Sequence, residues 1–286
     1  MDRSSTVTAI RSWFGDNARD LPWRRPEATP WQIMVSEFML QQTPVARVLG
    51  PWQAWVDRWP VPAALAAAPT GDAIRAWGRL GYPRRALRLH AAATAITDRH
   101  DGQVPDDHDQ LLALPGVGAY TAAAIHAFAF GGTAPVLDTN VRRVLLRLSS
   151  STALPPAHIT RAERDQAADW APDHRPDQWW AAAMELGALV CTARTPDCTS
   201  CPVASACTWL AAGQPPADQP RRGQAWVGTD RQCRGALMAV LRSHDGEVYA
   251  DELAAAWQDG AQRERCLASL VADGLIVVTD VGHRLP

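Results

Sequence analysis

Four cysteines in one short segment are the side chains of this sequence best suited to hold a metal. Cys191, Cys198, Cys201 and Cys207 have six, two and five residues between them. Four thiolates from so short a segment indicate a metal or cluster site rather than disulfide bonds in a cytoplasmic chain. Zinc and iron–sulfur clusters both accept four cysteines. Zinc sites usually pair two short Cys-x2-4-Cys knuckles, and only one such pair is present here, which favours a cluster.

A glycine turn between two apolar-periodic segments has the composition of a phosphate-binding turn. It reads Leu114-Pro115-Gly116-Val117-Gly118-Ala119-Tyr120-Thr121. Glycines admit backbone angles that aim consecutive amide groups from the start of the following helix, where a phosphate can be held. Taken alone, the turn is equally compatible with a plain helix connector.

An aspartate-containing segment follows the glycine turn, and the two segments together carry a family resemblance. Val136-Leu137-Asp138-Thr139-Asn140-Val141-Arg142-Arg143 lies about twenty residues past the turn, and the two together resemble the signature of the helix-hairpin-helix glycosylases. The chain also carries Leu21-Pro22-Trp23-Arg24 and Ser36-Glu37-Phe38-Met39-Leu40-Gln41-Gln42-Thr43. It therefore resembles the MutY adenine glycosylases over roughly residues 10 to 210. The cysteine spacing is similar to the loop of the endonuclease III superfamily, which implies a [4Fe-4S] cluster that at least holds the loop together.

The resemblance implies a monofunctional DNA glycosylase of base excision repair, which hydrolyses the N-glycosidic bond of adenine mispaired with 8-oxoguanine or guanine. Adenine leaves poorly until its ring is protonated, so the reaction needs an acid near the base and a carboxylate near the sugar. Glu37 is the implied acid, and its apolar helix predicts a raised pKa; a partly exposed glutamate is the alternative. Asp138 is implied to stabilise the oxocarbenium-like transition state, which is compatible with capping the helix near Asn140.

The chain offers no lysine for strand cleavage. All 28 of its basic residues are arginine, for which compositional bias is the simplest cause. A glycosylase-lyase needs an amine nucleophile, and Tyr120 occupies the position of the endonuclease III lysine. We therefore expect no efficient β-elimination, with Tyr120 packed beside Asp138.

The adenine pocket follows from the resemblance alone. Its implied walls are Leu21, Trp23, Arg24 and Glu185, with Glu185 accepting a hydrogen bond from the exocyclic amine of a flipped-out base. Trp23 could equally be a core residue, because the chain has 13 tryptophans.

DNA contacts are implied at the mispair and along the backbone. Gln42 and Tyr82 resemble residues that enter the duplex near the opposing base. Phosphate contacts are predicted for Gly116, Val117, Gly118, Arg84, Arg85, Arg88, Arg142 and Arg143. A solvated helix face is the alternative for these arginines.

Three departures from the family pattern bear on specificity. The usual Leu-Asp-Gly-Asn-Val reads Leu137-Asp138-Thr139-Asn140-Val141, and the second tyrosine of Gly-Tyr-Tyr is Pro83. Neither change removes a catalytic group. Residues 225–286 are too short and too helical for the Nudix-like domain that reads 8-oxoguanine, which puts lesion preference in doubt.

Other functions stay open at this stage. One is a glycosylase of the same fold acting on an oxidised or mismatched pyrimidine, against which Glu37 argues. Another is a non-catalytic iron–sulfur DNA sensor, against which Glu37 together with Asp138 argues. A zinc-held binding module is the third.

Helical periodicity dominates the first two thirds of the chain and predicts an all-α helix-hairpin-helix glycosylase fold. We expect a glycosylase domain over 1–212 with the cluster loop at 191–207, a linker over 213–224 and a small winged-helix-like domain over 225–286. In the last of these, three helices precede a short β-ribbon.

Composition narrows the class of protein but not its ligand. The formal charge of −2 and pI near 6.4 show no basic excess, so any DNA contact must be local. No run of about eighteen apolar residues exists. We expect a cytoplasmic, nucleoid-associated monomer that binds double-stranded DNA and no membrane.

Overall fold

The computed structural model describes residues 2–217 and 226–286, which are almost entirely helical. None of the helices described there is both long and apolar enough to cross a membrane. The α-helices are α1 Arg3–Asn17, α2 Pro30–Leu40, α3 Val45–Arg58, α4 Pro62–Ala66, α5 Thr70–Trp77, α6 Arg84–Arg99, α7 His108–Leu112, α8 Ala119–Phe130, α9 Thr139–Ser149, α10 Arg161–Trp170, α11 Pro176–Leu189, α12 Thr208–Ala211, α13 Asp230–Ser243, α14 Ala250–Ala256 and α15 Gly260–Ala272. Strands β1 Val277–Val278 and β2 His283–Arg284 pair antiparallel, and Pro22–Arg24 and Ala204–Ala206 are single 3-10 turns.

The predicted all-α fold is confirmed, and so are the three helices and the ribbon of the tail. Helix α1 was not predicted, because only Thr6, Val7 and Ile10 of its 15 residues are buried and the apolar period is too sparse to recognise. The expected linker over 213–224 lies mostly outside the described residues, which resume at Trp226. The domain boundary there stays a prediction.

The chain forms two compact units that do not follow chain order. Over their described residues, the first unit combines Met1–Ala28, Asp106–Leu112 and Val117–Arg221, and the second combines Thr29–Pro105, Ala113–Gly116 and Arg222–Pro286.

The first unit is built around α11, which packs against both α1 and α9. Its core includes Ile10, Val141, Trp179 and Trp180, each almost inaccessible to solvent. This packing places the start of α9 and the cysteine segment in one unit.

The second unit contains α2 to α6 and the tail. Trp55 contacts Trp59 and Trp77 edge to face, which joins α3 to α5. The tail helices α13 to α15 form their own core, into which α5 inserts Ile74. Arg75 donates to the carbonyl oxygens of Arg242 and His244 at 3.2 and 2.6 Å. The tail is therefore docked on α5 within this unit.

Candidate active site

Asp138 lies at the start of α9 with its carboxylate held from three sides. Oδ1 accepts from the backbone N–H groups of Asn140 and Val141 at 2.9 and 2.7 Å, and Oδ2 accepts from Asn140 Nδ2 at 2.7 Å. The predicted N-cap is confirmed. Burial raises the pKa of Asp138, and the donors of Val141 and Asn140 oppose that rise without cancelling it. The result is an oriented carboxylate whose charge is only partly compensated.

Tyr120 is half-buried on the first turn of α8 and packs against the core of the first unit, to which Leu137 also belongs. Its predicted place beside Asp138 stays a prediction.

Arg143 joins the Asp138 cap to α11 and to the cysteine segment. Its Nη2 donates to Asn140 Oδ1 at 2.8 Å and to the carbonyl of Gly187 at 2.6 Å, while Nε donates to the carbonyl of Cys191 at 2.7 Å. The guanidinium is buried and committed to these acceptors. The structure thus gives Arg143 an internal role, and its phosphate contact stays a prediction.

Arg142 is buried as well. It forms a two-pronged ion pair with Glu163 at 2.8 and 3.0 Å and donates to the carbonyls of Pro156 and His158. Glu163, twenty-one residues away, thus pairs with the charge of Arg142 inside the fold, and the DNA contact of Arg142 stays a prediction.

A buried carboxylate and two arginines form the predicted pocket region of the first unit. Glu185 is fully buried; Oε1 accepts from Arg19 N and Nε at 3.0 and 2.7 Å, and Oε2 from Arg19 Nη2 and Arg24 Nη2 at 2.8 and 3.0 Å. Burial disfavours the charge of Glu185, but the two guanidinium groups outweigh it and hold its pKa at about 2.

These hydrogen bonds bear on the predicted role of Glu185. Four donors occupy a carboxylate with about four acceptor sites, so in this structure Glu185 positions the two arginines. Its contact with an exocyclic amine stays a prediction. Arg24 Nη1, by contrast, is buried without a hydrogen bond among the described residues. The polar group without a partner in this region is therefore the hydrogen-bond donor Arg24 Nη1.

Arg19 was missed in the sequence. No local pattern connects it to a glutamate 166 positions away; only the need of a buried carboxylate for a cation could have suggested a partner. Leu21 and Trp23, on the same segment, are both buried. Their roles as pocket walls stay predictions, with core packing as the alternative for Trp23.

Glu37 lies in the second unit on α2. It is buried together with most of that helix, including Met34 and Phe38, which confirms the apolar setting expected for it. Thr29 and Gln32 cap the start of α2 reciprocally, so the helix that carries Glu37 has a fixed beginning. Its role as the acid stays a prediction.

A side chain at Gly116 would be strained and would clash with its neighbours. Its φ is +78°, and a Cβ there would lie 2.6 Å from Arg88 Cβ and 3.1 Å from a ring carbon of Phe38. Gly118 precedes α8 with ordinary extended angles and open space around it. Val117 between them is buried. The turn therefore presents backbone rather than side chains.

The predicted phosphate arginines of α6 fall into different environments. Arg88 is exposed, and its stem covers Gly116. Arg84 is exposed and pairs with Asp273 at 3.2 Å. Arg85 is buried and donates to five carbonyl oxygens and one hydroxyl. Its phosphate contact stays a prediction.

Gln42 and Tyr82 are both exposed, and both have a positive φ, +54° and +45°. Non-glycine residues adopt such angles rarely, and they cluster at ligand-contacting sites. The two residues predicted to enter the duplex are thus the exposed points of two strained turns.

The four cysteines line one small apolar cavity of about 20 Å3 in the first unit, together with Trp209. Arg147 is fully buried beside it; Nη1 donates to Cys191 Sγ at 3.4 Å, and the guanidinium stacks on Trp209 at 4.1 Å. In the described part of the chain, no three His, Cys, Asp or Glu side chains are grouped closely enough to hold a metal ion.

Comparisons with known proteins agree on family and fold. The family described as HhH-GPD superfamily base excision DNA repair protein matches residues 35–168. The adenine DNA glycosylase of Mycobacterium tuberculosis is 53% identical over 284 residues, covering 98% of this chain and 93% of that protein. The human adenine DNA glycosylase is 40% identical over 214 residues, covering 70% and 39%.

Among solved structures, a thermostable thymine-DNA glycosylase is similar with a TM-score of 0.67 at 25% identity, covering 73% of this chain and 97% of that one. A non-covalent endonuclease III–DNA complex has a TM-score of 0.63 at 22% identity, covering 74% and 98%. The second likeness concerns the fold alone.

Proposed function

Because the chain belongs to the adenine DNA glycosylase family, we propose that it hydrolyses the N-glycosidic bond of adenine mispaired with 8-oxoguanine or guanine. It does so as a monofunctional enzyme of base excision repair, acting on double-stranded DNA as a monomer in the nucleoid. The observation that carries the proposal is the oriented, buried carboxylate of Asp138.

Asp138 stabilises the positive charge that develops on the sugar as the glycosidic bond breaks. Its three hydrogen bonds fix the carboxylate before substrate arrives, and a preorganised charge costs no reorganisation during the reaction. Because the surroundings of Asp138 leave part of its negative charge uncompensated, the carboxylate stabilises a positively charged, oxocarbenium-like sugar more than a neutral sugar. Water then completes the hydrolysis.

Glu37 supplies the proton to the leaving base. Burial in an apolar setting favours the neutral, protonated form of a carboxyl group, and α2 buries Glu37 among apolar residues such as Met34 and Phe38.

Arg24 binds the flipped-out base from the pocket side. Its unused Nη1 donor suits the ring nitrogens of adenine, which are acceptors, whereas Glu185 and Arg19 hold the guanidinium in place. This replaces direct recognition by Glu185 in the proposal.

Cys191, Cys198, Cys201 and Cys207 hold a [4Fe-4S] cluster. Support comes from the shared apolar cavity that all four thiols line, because such clusters require four thiolates shielded from water. When bound, the cluster cross-links the loop that follows α11, and we assign it no step in the reaction.

Single-turnover base release tests the proposed function. The substrates are duplexes holding adenine opposite 8-oxoguanine, adenine opposite guanine, and thymine opposite guanine, with alkali used afterwards to reveal abasic sites. Adenine release from the first two is expected. Release of thymine alone would assign the chain to the mismatched-pyrimidine alternative, and binding without any release would assign it to the non-catalytic one.

A further inference from the structure

Two turns of the second unit store backbone strain side by side. Gln42 follows α2, and Tyr82 precedes α6; both have positive φ and both are exposed. Such conformations cost roughly 1–3 kcal/mol each and persist only where surrounding contacts hold them. Something in the fold must therefore hold both turns.

One buried side chain contacts both. Arg85 Nη1 donates to the carbonyls of Phe38, Met39 and Gln41 at 2.9, 3.1 and 2.6 Å, all on the Gln42 side. Its Nη2 donates to the carbonyls of Leu80 and Gly81 at 3.4 and 3.0 Å, on the Tyr82 side.

One terminal nitrogen of the Arg85 guanidinium thus serves the Gln42 turn, and the other serves the Tyr82 turn. Phe38 and Met39 are among the last carbonyls of α2, which have no partner within their helix and favour a nearby cation. Arg85 also lies under the Tyr82 ring, 5.7 Å from its centroid, and 5.1 Å from that of Trp77. The aromatic ring of Tyr82 and its backbone are thus held by the same group.

Thr43 forms a second, smaller bridge. Its hydroxyl accepts from Arg85 Nη2 at 3.0 Å and contacts the carbonyls of Gln41 and Leu80 at 3.2 and 3.4 Å. The residue is buried, so the bridge is shielded from water.

We propose that Arg85 is a positioning residue for base excision, which clamps the Gln42 turn to the Tyr82 turn so that both side chains enter the duplex at the mispair together. The inference rests on the proposed function. It replaces the phosphate contact expected of this arginine: Arg85 acts through Gln42 and Tyr82 and never touches DNA. Only a planar two-pronged cation can serve both turns, because an ammonium is a point charge.

A double-mutant cycle tests the clamp. Arg85→Lys keeps the buried charge but loses the two-pronged geometry, and we expect about tenfold slower single-turnover excision from it. In a Tyr82→Ala background the same substitution should cost less than about twofold, because the side chain that it positions is gone. Thr43→Val, a smaller change that tests the same bridge if the lysine variant fails to fold, should cost about threefold and show the same non-additivity.

Arg242→Lys is the matched control. Arg242 is a partly buried arginine of the same unit that donates to the carbonyl of Ile74, away from both turns. Its effect on excision should stay within about twofold and be the same with and without Tyr82→Ala. Equal costs of Arg85→Lys in the two backgrounds would overturn the clamp.

A binding readout separates this inference from the proposed function. A 2-aminopurine placed beside the mispair reports unstacking by its fluorescence, with no need for base release. Wild-type protein should raise that fluorescence, and Arg85→Lys and Tyr82→Ala should each reduce the rise. An unchanged rise with Arg85→Lys would refute the clamp even if excision is normal, whereas failure of the wild type to release adenine would refute only the function.

Discussion

Asp138 caps α9 and has a proposed role in the reaction, and one substitution separates the two. Asparagine is as good an N-cap as aspartate, so Asp138→Asn should fold and bind DNA like the wild type. It removes the charge, and we expect single-turnover excision to fall by about a thousandfold, the upper range for one electrostatic stabiliser. Excision within tenfold of wild type, in a protein of unchanged melting temperature, would remove Asp138 from the mechanism.

The pH dependence of excision should also report on Asp138. Burial raises the pKa of Asp138, and the proposed reaction needs its ionised form. The excision rate should therefore fall as the pH decreases through this raised pKa, which lies above the usual aspartate pKa of about 3.9. Asn140→Ala removes one donor to the carboxylate and should move this acid limb to higher pH. A pH–rate profile that is identical in the two proteins would assign the limb to another group.

Glu185 should matter for stability in a defined pH window. Its pKa in the folded protein, about 2, lies below its pKa in the unfolded chain, about 4.3. The ionised Glu185 therefore stabilises the fold fully above about pH 4.3, and this stabilisation is lost as the pH falls toward 2. Glu185→Gln breaks a buried charge cluster and should lower the free energy of unfolding by about 3 kcal/mol at pH 7, with a smaller difference at pH 3. Denaturation at both pH values measures this.

Asp20→Asn is the control for that experiment, because Asp20 pairs with Arg25 on the exposed surface. It should change stability little at either pH. A pH-independent loss in Glu185→Gln would mean that packing, not charge, is what the glutamate contributes.

The capping position of Asp138 could be predicted from the sequence, whereas the burial of the arginines could not. The N-cap partners of Asp138 lie only two and three residues away. Arg85 and Arg142 look like surface cations in the sequence, and the acceptors that bury them lie up to 47 residues away, beyond any local pattern.

The glycine turn makes a prediction at the level of elements. Gly116→Ala forces a Cβ against Arg88 and Phe38 at a positive φ, and should destabilise the fold by about 1–3 kcal/mol while weakening binding to duplex DNA. Gly118→Ala meets open space and should cost less, about 0.5 kcal/mol, because alanine is a poorer N-cap than glycine. Melting curves and DNA titrations of the two variants give the comparison; equal effects would argue against a fixed turn.

Most helices could be predicted because their apolar period is strong, as in α6 Arg84–Arg99. Helix α1 could not, since its stability comes from packing against α11, late in the chain. The strained angles at Gln42 and Tyr82 were equally invisible, because neither residue type marks a positive φ.

At the scale of the whole molecule, the absence of lysine makes a chemical prediction. With arginine as its only strong base, the protein has no side-chain amine to form a Schiff base with an abasic sugar. We expect borohydride to trap no efficient covalent adduct and product strands to break only after alkali. Rapid strand cleavage without alkali would contradict this.

The placement of α1 has a consequence for how the protein is made. Helix α1 leaves the ribosome before α11, against which it packs. Arg19 is synthesised 166 residues before Glu185, to which its backbone N–H and its side chain donate hydrogen bonds. At about 5–20 residues per second, that delay is about 10 to 30 s. During this time the segment Thr29–Pro105 has already been synthesised and belongs to the other unit. The nascent chain therefore carries α1 without its helical partner until α11 has been synthesised. The unit that carries Asp138 can complete its packing only then, and the cysteine segment follows α11 directly.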